Sequence, residues 1–339
     1  MLSKNTLQIL TSSKPVLVKT EWYSICFVLQ KMTEFMDNNT TTKDFQILAF
    51  FNNHEKQPLL FTLFLFIYLI GLLGNLIIIT VICADFHLHT PMYFFLCNLS
   101  FIDINYTTVT LPKLMDMLLT GDNFISFVQC FTQMFFFTFI GSIEVVLLSS
   151  MAYDRYIAIC NPLQYHLVMN RKKCILLLVG IWIPGFLNSA LVTAFASSLP
   201  LCYTNEIQQF FCNVKALAQI SCPDQRFDAL IYVEIIVLGL CPFLLSMSSY
   251  MKIIKVVLSM SASGRRKTFS TCTSHLTVLL LFYGTILFMY MKPTSQYSSE
   301  LDQMFSVMYA AVAPMLNPLI YSLRNKEVKN SIIRITKKK

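Results

Sequence analysis

The stretch LLFTLFLFIYLIGLLGNLIIITVIC, residues 59–83, decides the fold class because it carries no charged side chain over a length that crosses a bilayer. A hydrocarbon core about 30 Å thick needs roughly 20 apolar residues in a helix. A helix satisfies its own backbone hydrogen bonds in lipid, and unbroken runs of this length exclude the roughly ten-residue strands of a membrane barrel. The stretch therefore predicts a transmembrane helix.

Six further runs of similar length follow the first one. They are predicted at Met92–Leu114, Cys130–Ala152, Cys174–Phe195, Phe227–Tyr250, Thr273–Met291 and Met304–Leu323. The composition agrees, because the 339 residues are 55% hydrophobic and only 13% charged, whereas soluble domains are about a quarter charged. The sequence predicts an all-α polytopic membrane protein, a seven-transmembrane helix bundle at 59–323, between an N-terminal segment (1–58) and a tail (324–339).

Lysine and arginine set the predicted orientation. The net charge of +8 is spread over short clusters such as Arg171–Lys173 and residues 324–339, so no nucleic-acid-binding domain is indicated. These clusters place their side in the cytoplasm and the N-terminus outside. Overlapping N-x-[ST] acceptors at Asn38 and Asn39 predict glycosylation on the outer side. Residues 1–35 lack a signal-peptide pattern and are predicted to be dispensable, and the tail is predicted to form an amphipathic helix on anionic lipid.

Four cysteines lie in predicted polar loops or at a span edge on the outer side: Cys130, Cys202, Cys212 and Cys222. An even set in an oxidising compartment predicts two disulfides, and the pairing stays open at this point. Cysteines inside the apolar runs are expected to be small buried hydrophobic residues. The sequence has no Cys/His cluster with metal-binding spacing, so no metal site is predicted.

Two carboxylates lie in the middle of predicted spans, where ionisable groups are costly and usually functional. Asp103 is in span two and Glu144 is in span three. The pair could share a proton or hold a monovalent cation such as sodium, with help from Asn317 or Ser149. The alternative is that one carboxyl group is protonated and hydrogen-bonded.

Helix-breaking residues concentrate in span seven, in PMLNPLIY at 314–321. Each proline frees a carbonyl and bends the helix, and Asn317 can bond to freed backbone groups. The motif favours a hinge with two arrangements over a plain kink. In span one, Gly74 allows a neighbouring helix to approach closely, and Asn75 offers a buried amide.

Asp154 and Arg155 lie side by side at the predicted cytoplasmic end of span three, in MAYDRYIAIC. The aspartate can hold the arginine in place until the bundle opens, and release would then expose a cation towards the cytoplasm. The alternative is a simple interfacial anchor.

Five motifs occur in an order that is very specific. They are LHTPMYFFLCNLSFID (88–103), MAYDRYIAICNPLQY (151–165), STCTSHL (270–276), FYG (282–284) and PMLNPLIYSLRNKEVK (314–329). Over about Met36–Lys329 the chain resembles the vertebrate olfactory receptors, a branch of the rhodopsin-like G-protein-coupled receptors. KPTS in the loop before span seven resembles the tetrapod-type class II group.

The resemblance implies roles for residues already singled out. Asp103 and Glu144 match interior acids linked to a sodium site. The disulfides would be Cys130–Cys212 and Cys202–Cys222. The activation switch would comprise Asp154, Arg155, Tyr156, Tyr250, Asn317, Pro318 and Tyr321. The inner part of span six near the G protein would include Lys267, Ser270, Cys272 and His275.

The resemblance also implies a ligand pocket between spans three, five, six and seven. It would be lined by Phe137, Thr138, Gly141, Ser142, Glu234, Ile286, Leu287 and Tyr290, with Tyr283 at the position where related receptors have a tryptophan. A mostly apolar pocket suits small volatile ligands. Glu234 departs from the family pattern. It could favour an amine or a hydrogen-bonding odorant, or it could face solvent, lipid headgroups or another helix.

The function implied is an odorant receptor in the plasma membrane of olfactory cilia. A small volatile ligand would activate a stimulatory-type heterotrimeric G protein and raise cyclic AMP. The alternatives are a related non-olfactory chemoreceptor and a channel or transporter, although the sequence shows no internal repeat of the kind that transporters carry. An intramembrane enzyme is not indicated, because His275 has no catalytic partner at a recognisable spacing.

Overall fold

The computed structural model describes residues 44–50, 54–261, 272–273, 275–285, 299–324 and 326–337. Contacts divide the chain into Met1–Lys43 and Asp44–Lys339, and every described residue belongs to the second unit. The predictions for residues 1–35 and for glycosylation at Asn38 and Asn39 lie outside the described residues.

The described residues form a helical bundle in the predicted order. The helices are α1 (Gln57–Ala84), α2 (Pro91–Thr120), α3 (Phe127–Cys160), α4 (Arg171–Ser197), α5 (Gln225–Ser259), α6 (described over His275–Thr285), α7 (Ser299–Arg324) and α8 (Lys326–Lys337). The prediction of a seven-helix bundle followed by a short helix is confirmed. Several helices extend past the predicted apolar runs, since a helix continues in polar sequence beyond the lipid. The end of α3 at Cys160 places Asp154 and Arg155 inside the helix.

The helix ends follow the local sequence. Side chains of Ser126, Asn170 and Asp224 accept hydrogen bonds from backbone N–H groups in the first turns of α3, α4 and α5, as N-cap residues do. Helix α2 ends at Gly121, whose φ of 75° is left-handed. Glycine adopts this conformation without a side-chain penalty.

Prolines explain two irregular turns in the outer halves of α5 and α7. A π-helical turn at Ile235–Leu240 precedes Pro242, and another at Met308–Val312 precedes Pro314. A proline has no N–H and its ring clashes with the carbonyl four residues earlier. A wider turn relieves that clash, and π-turns often occur at functional sites. The irregular turn of α7 thus lies directly before the motif at 314–321, and α5 carries a second one; the hinge in span seven stays a prediction.

Helix α1 packs closely against α7, as Gly74 and Asn75 predict. A Cβ atom on Gly74 would lie 2.9 Å from Cγ of Pro318. The Asn75 side-chain amide donates hydrogen bonds to the carbonyls of Gly71 (3.0 Å) and Pro314 (3.1 Å). The two residues together fix α1 beside the proline-containing part of α7.

Gly74→Ala is expected to lower the stability of the receptor by about 1–3 kcal/mol, because the added methyl overpacks the contact with Pro318. Gly180→Ala is the matched control, since a Cβ atom there meets nothing within 4 Å. Thermal melting of the detergent-solubilised receptor measures both variants. Equal melting temperatures for the two would contradict the close α1–α7 contact.

The outer end of the bundle carries a small three-stranded sheet. Strand β1 (Phe45–Ile47) lies between β2 (Phe124–Ile125), which is antiparallel to it, and β3 (Glu206–Ile207), which is parallel to it. Disulfides join Cys130 to Cys212 and Cys202 to Cys222, with Cα–Cα distances of 5.3 and 4.9 Å. The disulfide prediction is confirmed with the pairing that the family resemblance implies.

The inner end is closed by α8, which packs against α1 and the loop after it. The Asp85 carboxylate accepts hydrogen bonds from Ser331, from Arg334 (Nη2 at 2.6 Å) and from the His87 ring (2.8 Å). The hydrogen bond from Ser331, followed by that from His87, holds the pKa of Asp85 well below its usual range. Asp85 therefore stays ionised and ties the tail helix to the first inner loop. Sequence reasoning missed this contact, because its partners lie about 246 residues apart in the chain.

Candidate functional site

The inner end of α3 holds a buried acid–base pair. Asp154 is completely buried, and its carboxylate accepts hydrogen bonds from Nε (3.0 Å) and Nη2 of Arg155. The second carboxylate oxygen accepts a hydrogen bond from the Tyr165 hydroxyl at 2.9 Å. Removal of one partner of such a buried ion pair strongly destabilises a protein, because the other charge is left buried and unpaired. The pair is therefore held inside the protein by its own hydrogen bonds and by Tyr165.

Tyr165 begins a short helix, Tyr165–Val168, in the loop after α3. Burial, followed by the nearby Asp154 charge, raises the pKa of its phenol above the ordinary value. The hydroxyl consequently stays protonated and donates to Asp154. Sequence reasoning quoted Tyr165 at the end of a motif but gave it no role, because a contact across eleven residues has no local signal.

Two further residues of the predicted switch, Tyr250 and Tyr321, lie on α5 and α7. The hydroxyl of Tyr250 on α5 is 2.8 Å from Nδ1 of His275 on α6, and both side chains are buried. Tyr321 on α7 is also buried, and its hydroxyl has no hydrogen-bond partner within the described residues. The Tyr250–His275 bond ties the inner halves of α5 and α6. Sequence reasoning named both residues but not their contact.

The interior acids occupy the middle of the bundle. Asp103 and Glu144 are 1% and 3% exposed. Asn317 donates its amide to both carboxylate oxygens of Asp103, at 3.0 and 3.1 Å. Of the two helpers suggested by sequence, Asn317 therefore contacts Asp103, whereas Ser149 lies in the wall of a cavity formed with α4 and α5.

These residues fit a hard monovalent cation. Carboxylate and amide oxygens are the donors that such ions take, and Asp103 and Glu144 are two buried carboxyl groups on the packed helices α2 and α3. The side-chain oxygens of Asn317 and Asn75 are buried and without a hydrogen-bond partner among the residues described. Buried oxygens of this kind have acceptor capacity left over.

The outer half of the bundle contains an aromatic cluster around Phe137. Its ring centroid lies 4.5 Å from Phe211, 4.9 Å from Tyr106 and 5.7 Å from Tyr309. Phe211 belongs to the second outer loop and directly precedes Cys212, so the disulfide to Cys130 holds it over the cluster. A Cβ atom on Gly141 would lie 3.1 Å from the Tyr106 hydroxyl. Two predicted pocket residues, Phe137 and Gly141, thus lie against the same aromatic wall.

Polar pocket residues meet where α3 contacts α4 and α5. The Asn188 amide on α4 donates to Oε1 of Glu234 on α5 (2.8 Å) and to the Ser142 hydroxyl on α3 (3.3 Å). Ser142 in turn donates to the carbonyl of Thr138. Glu234 therefore contacts another helix, and it does so beside two predicted pocket residues. Asn188 was missed, because an isolated asparagine in an apolar run gives no indication of its partner.

Tyr283 is buried and packs edge-on against Phe243, with ring centroids 5.1 Å apart. Three predicted pocket residues (Ile286, Leu287 and Tyr290) lie outside the described residues, as do Lys267 and Ser270 of the predicted G-protein contact. The described part of the predicted pocket is thus its α3 residues, Glu234 on α5 and Tyr283 on α6.

The fold and these contacts define a seven-helix membrane receptor. The crystal structure of squid rhodopsin is similar to this chain with a TM-score of 0.62 and 18% sequence identity, covering 82% of this chain and 85% of that one.

The olfactory receptor family model matches residues 64–339. Olfactory receptor 8H1 of Homo sapiens is 48% identical over 305 residues, covering 89% of this chain and 97% of that protein. Olfactory receptor 8H3 of Homo sapiens is 46% identical over 304 residues with the same coverage. The chain belongs to the olfactory receptor family, which consists of G-protein-coupled receptors and not of enzymes. It is a multi-pass membrane protein.

Proposed function

We propose that this receptor binds a small volatile odorant inside the bundle, activates a stimulatory-type heterotrimeric G protein and so raises cyclic AMP, in the ciliary plasma membrane of olfactory neurons. The observation that carries the proposal is the buried Asp154–Arg155 pair, held by Tyr165, in a chain of this family. A ligand drives such a change only by binding the open state better than the closed one. A tenfold shift of the equilibrium towards the open state needs a ligand that binds this state about 1.4 kcal/mol more tightly, which a few contacts supply.

Activation requires the inner ends of the helices to separate. Asp154 would release Arg155, and α6 would move outward from α3. Tyr250 would exchange His275 for partners that hold the open state, together with Tyr156 and Tyr321. The prolines of α7 would supply a bend, because a proline lacks the N–H that holds the preceding turn. Asn75 bonds to the carbonyl of Pro314 and Asn317 bonds to Asp103, and these contacts would change as α7 bends.

Odorant would bind between the aromatic wall at Phe137 and the polar residues Ser142 and Glu234. The aromatic and aliphatic lining gives most of the affinity through burial, and the few polar groups orient the ligand. Tyr283 on α6, which packs against Phe243 on α5, would couple ligand binding to a movement of α6.

The proposal is tested by screening diverse odorants on cells that carry the receptor and a cyclic-AMP reporter. The same cells without their stimulatory α subunits are screened in parallel, and the subunit is then restored. A response that disappears without the subunit and returns with it supports the proposed coupling. A response that persists without it would contradict stimulatory coupling.

Glu234→Gln is expected to weaken the response to amine odorants about tenfold or more while neutral odorants keep theirs. A charge-assisted hydrogen bond contributes about 1.5–3 kcal/mol, and 1.4 kcal/mol is tenfold in affinity. Glu206→Gln is the matched control, because Glu206 is an exposed acid in strand β3. Dose–response curves at equal surface expression measure the effect. If Glu234→Gln weakened the responses to amine and to neutral odorants equally, Glu234 would only support the contact with Asn188.

We also propose a sodium ion at Asp103 and Glu144 in the closed state, supported by the buried oxygens there. Sodium is expected to raise the melting temperature of the purified receptor relative to choline at equal ionic strength. An ion that binds the folded receptor and not the unfolded chain stabilises the folded receptor. Asp103→Asn is expected to abolish this difference. Asp116→Asn, an exposed acid on the same helix, should retain it. A sodium effect that survives in Asp103→Asn would contradict the site.

A further inference from the structure

The inner half of the bundle contains a cavity that the odorant pocket does not use. It has a volume of about 340 Å³ and lies between α3, α4 and α5. Val146, Leu177 and Leu245 form its apolar wall, four serines add hydroxyls, and Tyr156 and Lys252 are at its inner end. The predicted odorant residues Phe137, Ser142 and Glu234 are not among those that line it.

The cavity opens towards the outside of the bundle. Leu245 on its wall is 62% exposed and Tyr153 is 43% exposed. In a multi-pass receptor this outer face is covered by lipid and not by water. Any molecule that enters from this side therefore has to be a component of the bilayer.

The inner end of the cavity is cationic. Nζ of Lys252 lies 5.0 Å from the centre of the Tyr156 ring, and Lys252 forms no ion pair with any residue that the structure describes. Leu177 on the cavity wall follows the basic start of α4, Arg171–Lys173, by one turn. No acidic side chain lines the cavity within the described residues. An anionic group is therefore attracted to this end.

Unsatisfied hydroxyls lie beside the cation. Within the described residues, the hydroxyls of Tyr153 and Tyr156 have no hydrogen-bond partner. Ser150 and Ser249 donate to carbonyls of their own helices, which leaves their oxygens as acceptors. Two phenol donors and one ammonium group suit an acceptor with several oxygens, such as a phosphodiester.

We propose that this cavity binds an anionic phospholipid of the cytoplasmic leaflet. Its phosphate would bind Lys252 and the hydroxyl of Tyr156, and one acyl chain would lie against Val146, Leu177 and Leu245. The positive-inside orientation places Lys252 at the leaflet that carries anionic lipids. The bound lipid would contact α3 directly after Arg155 and would bridge it to α5. The site is independent of odorant binding.

The test measures how much fluorescent phosphatidylserine and phosphatidylcholine the purified full-length receptor retains in mixed micelles. Lys252→Gln is compared with Lys255→Gln, a matched lysine one turn further along α5 that does not line the cavity. The wild type is expected to prefer phosphatidylserine, and Lys252→Gln should lose about fivefold in its affinity, the effect of one lysine near an anionic surface. Lys255→Gln should retain the preference.

A second variant and a competitor separate lipid binding from other causes. Ser248→Trp should block the acyl chain and lower retention with Lys252 intact, and melting temperatures show whether each variant is folded. Soluble glycerophosphoserine should not displace the lipid. Four results would each overturn the proposal. The first two are an equal loss of phosphatidylserine affinity in Lys252→Gln and Lys255→Gln, and a wild type that retains phosphatidylcholine as well as phosphatidylserine. The other two are displacement of the lipid by glycerophosphoserine alone, and a sterol that binds independently of Lys252.

Discussion

Asp154→Asn is expected to raise cyclic AMP in the absence of odorant by about tenfold or more. The substitution removes the charge that holds Arg155 and leaves a guanidinium that is only 13% exposed without its partner. Hydrogen bonds to charged groups contribute about 1.5–3 kcal/mol. Their loss destabilises the closed state enough to shift the equilibrium towards the open state about tenfold. Arg155 would then move towards the cytoplasm, where water or the G protein satisfies it.

Two variants make this prediction specific. Asp116→Asn is the matched control, because its pair with Lys113 is exposed and such pairs contribute about 0–1 kcal/mol. Tyr165→Phe removes one neutral donor to Asp154 and should give a smaller rise. The measurement is basal cyclic AMP at equal surface level. A basal signal in Asp154→Asn no higher than that of Asp116→Asn would contradict a releasable pair.

Loss of the Cys130–Cys212 disulfide is expected to have the largest effect on folding. The bond closes a loop with a sequence separation of 82 residues, and the chain-entropy model gives about 4.5 kcal/mol for such a loop. It also holds Phe211 against Phe137. Cys130→Ser with Cys212→Ser should therefore remove most surface expression, and the receptor that remains should lose its odorant response.

Variants of the second disulfide and of a free cysteine are the controls for this effect on surface expression. Cys202–Cys222 closes a separation of 20 residues, for which the same model gives about 3 kcal/mol, so its removal should be milder. Cys83→Ser changes an exposed free cysteine and should behave as wild type. Surface staining and melting temperature are the measurements. A double Cys130/Cys212 variant with wild-type surface level would show that the outer loop folds without this bond.

Most of the fold follows from the sequence because the membrane imposes a strong, local requirement. Each span must supply a long apolar run, and the run at 59–83 is visible without any partner. The helix ends were harder to predict, since the last turns of α3 contain polar residues and look like loop. The π-turn before Pro242 was missed, because a single proline does not show whether a helix bends or widens.

The site was predictable where its residues are chemically conspicuous. Asp103, Glu144 and the Asp154–Arg155 pair stand out as charges in or beside apolar runs. Tyr165 beside Asp154 and Asn188 beside Glu234 were less visible, because they are ordinary residues whose partners lie elsewhere in the chain. Pairings such as Asp85 with Arg334 depend on tertiary packing, which no local pattern encodes.

The central claim is that odorant binding acts through Arg155, and Arg155→Ala tests it most directly. Odorant-dependent cyclic AMP is measured for the wild type, for Arg155→Ala and for Arg171→Ala, an exposed arginine on the same side, at equal surface level. The account predicts that the response disappears in Arg155→Ala and persists in Arg171→Ala. A full response in Arg155→Ala would show that Arg155 is an interfacial anchor and would contradict the account.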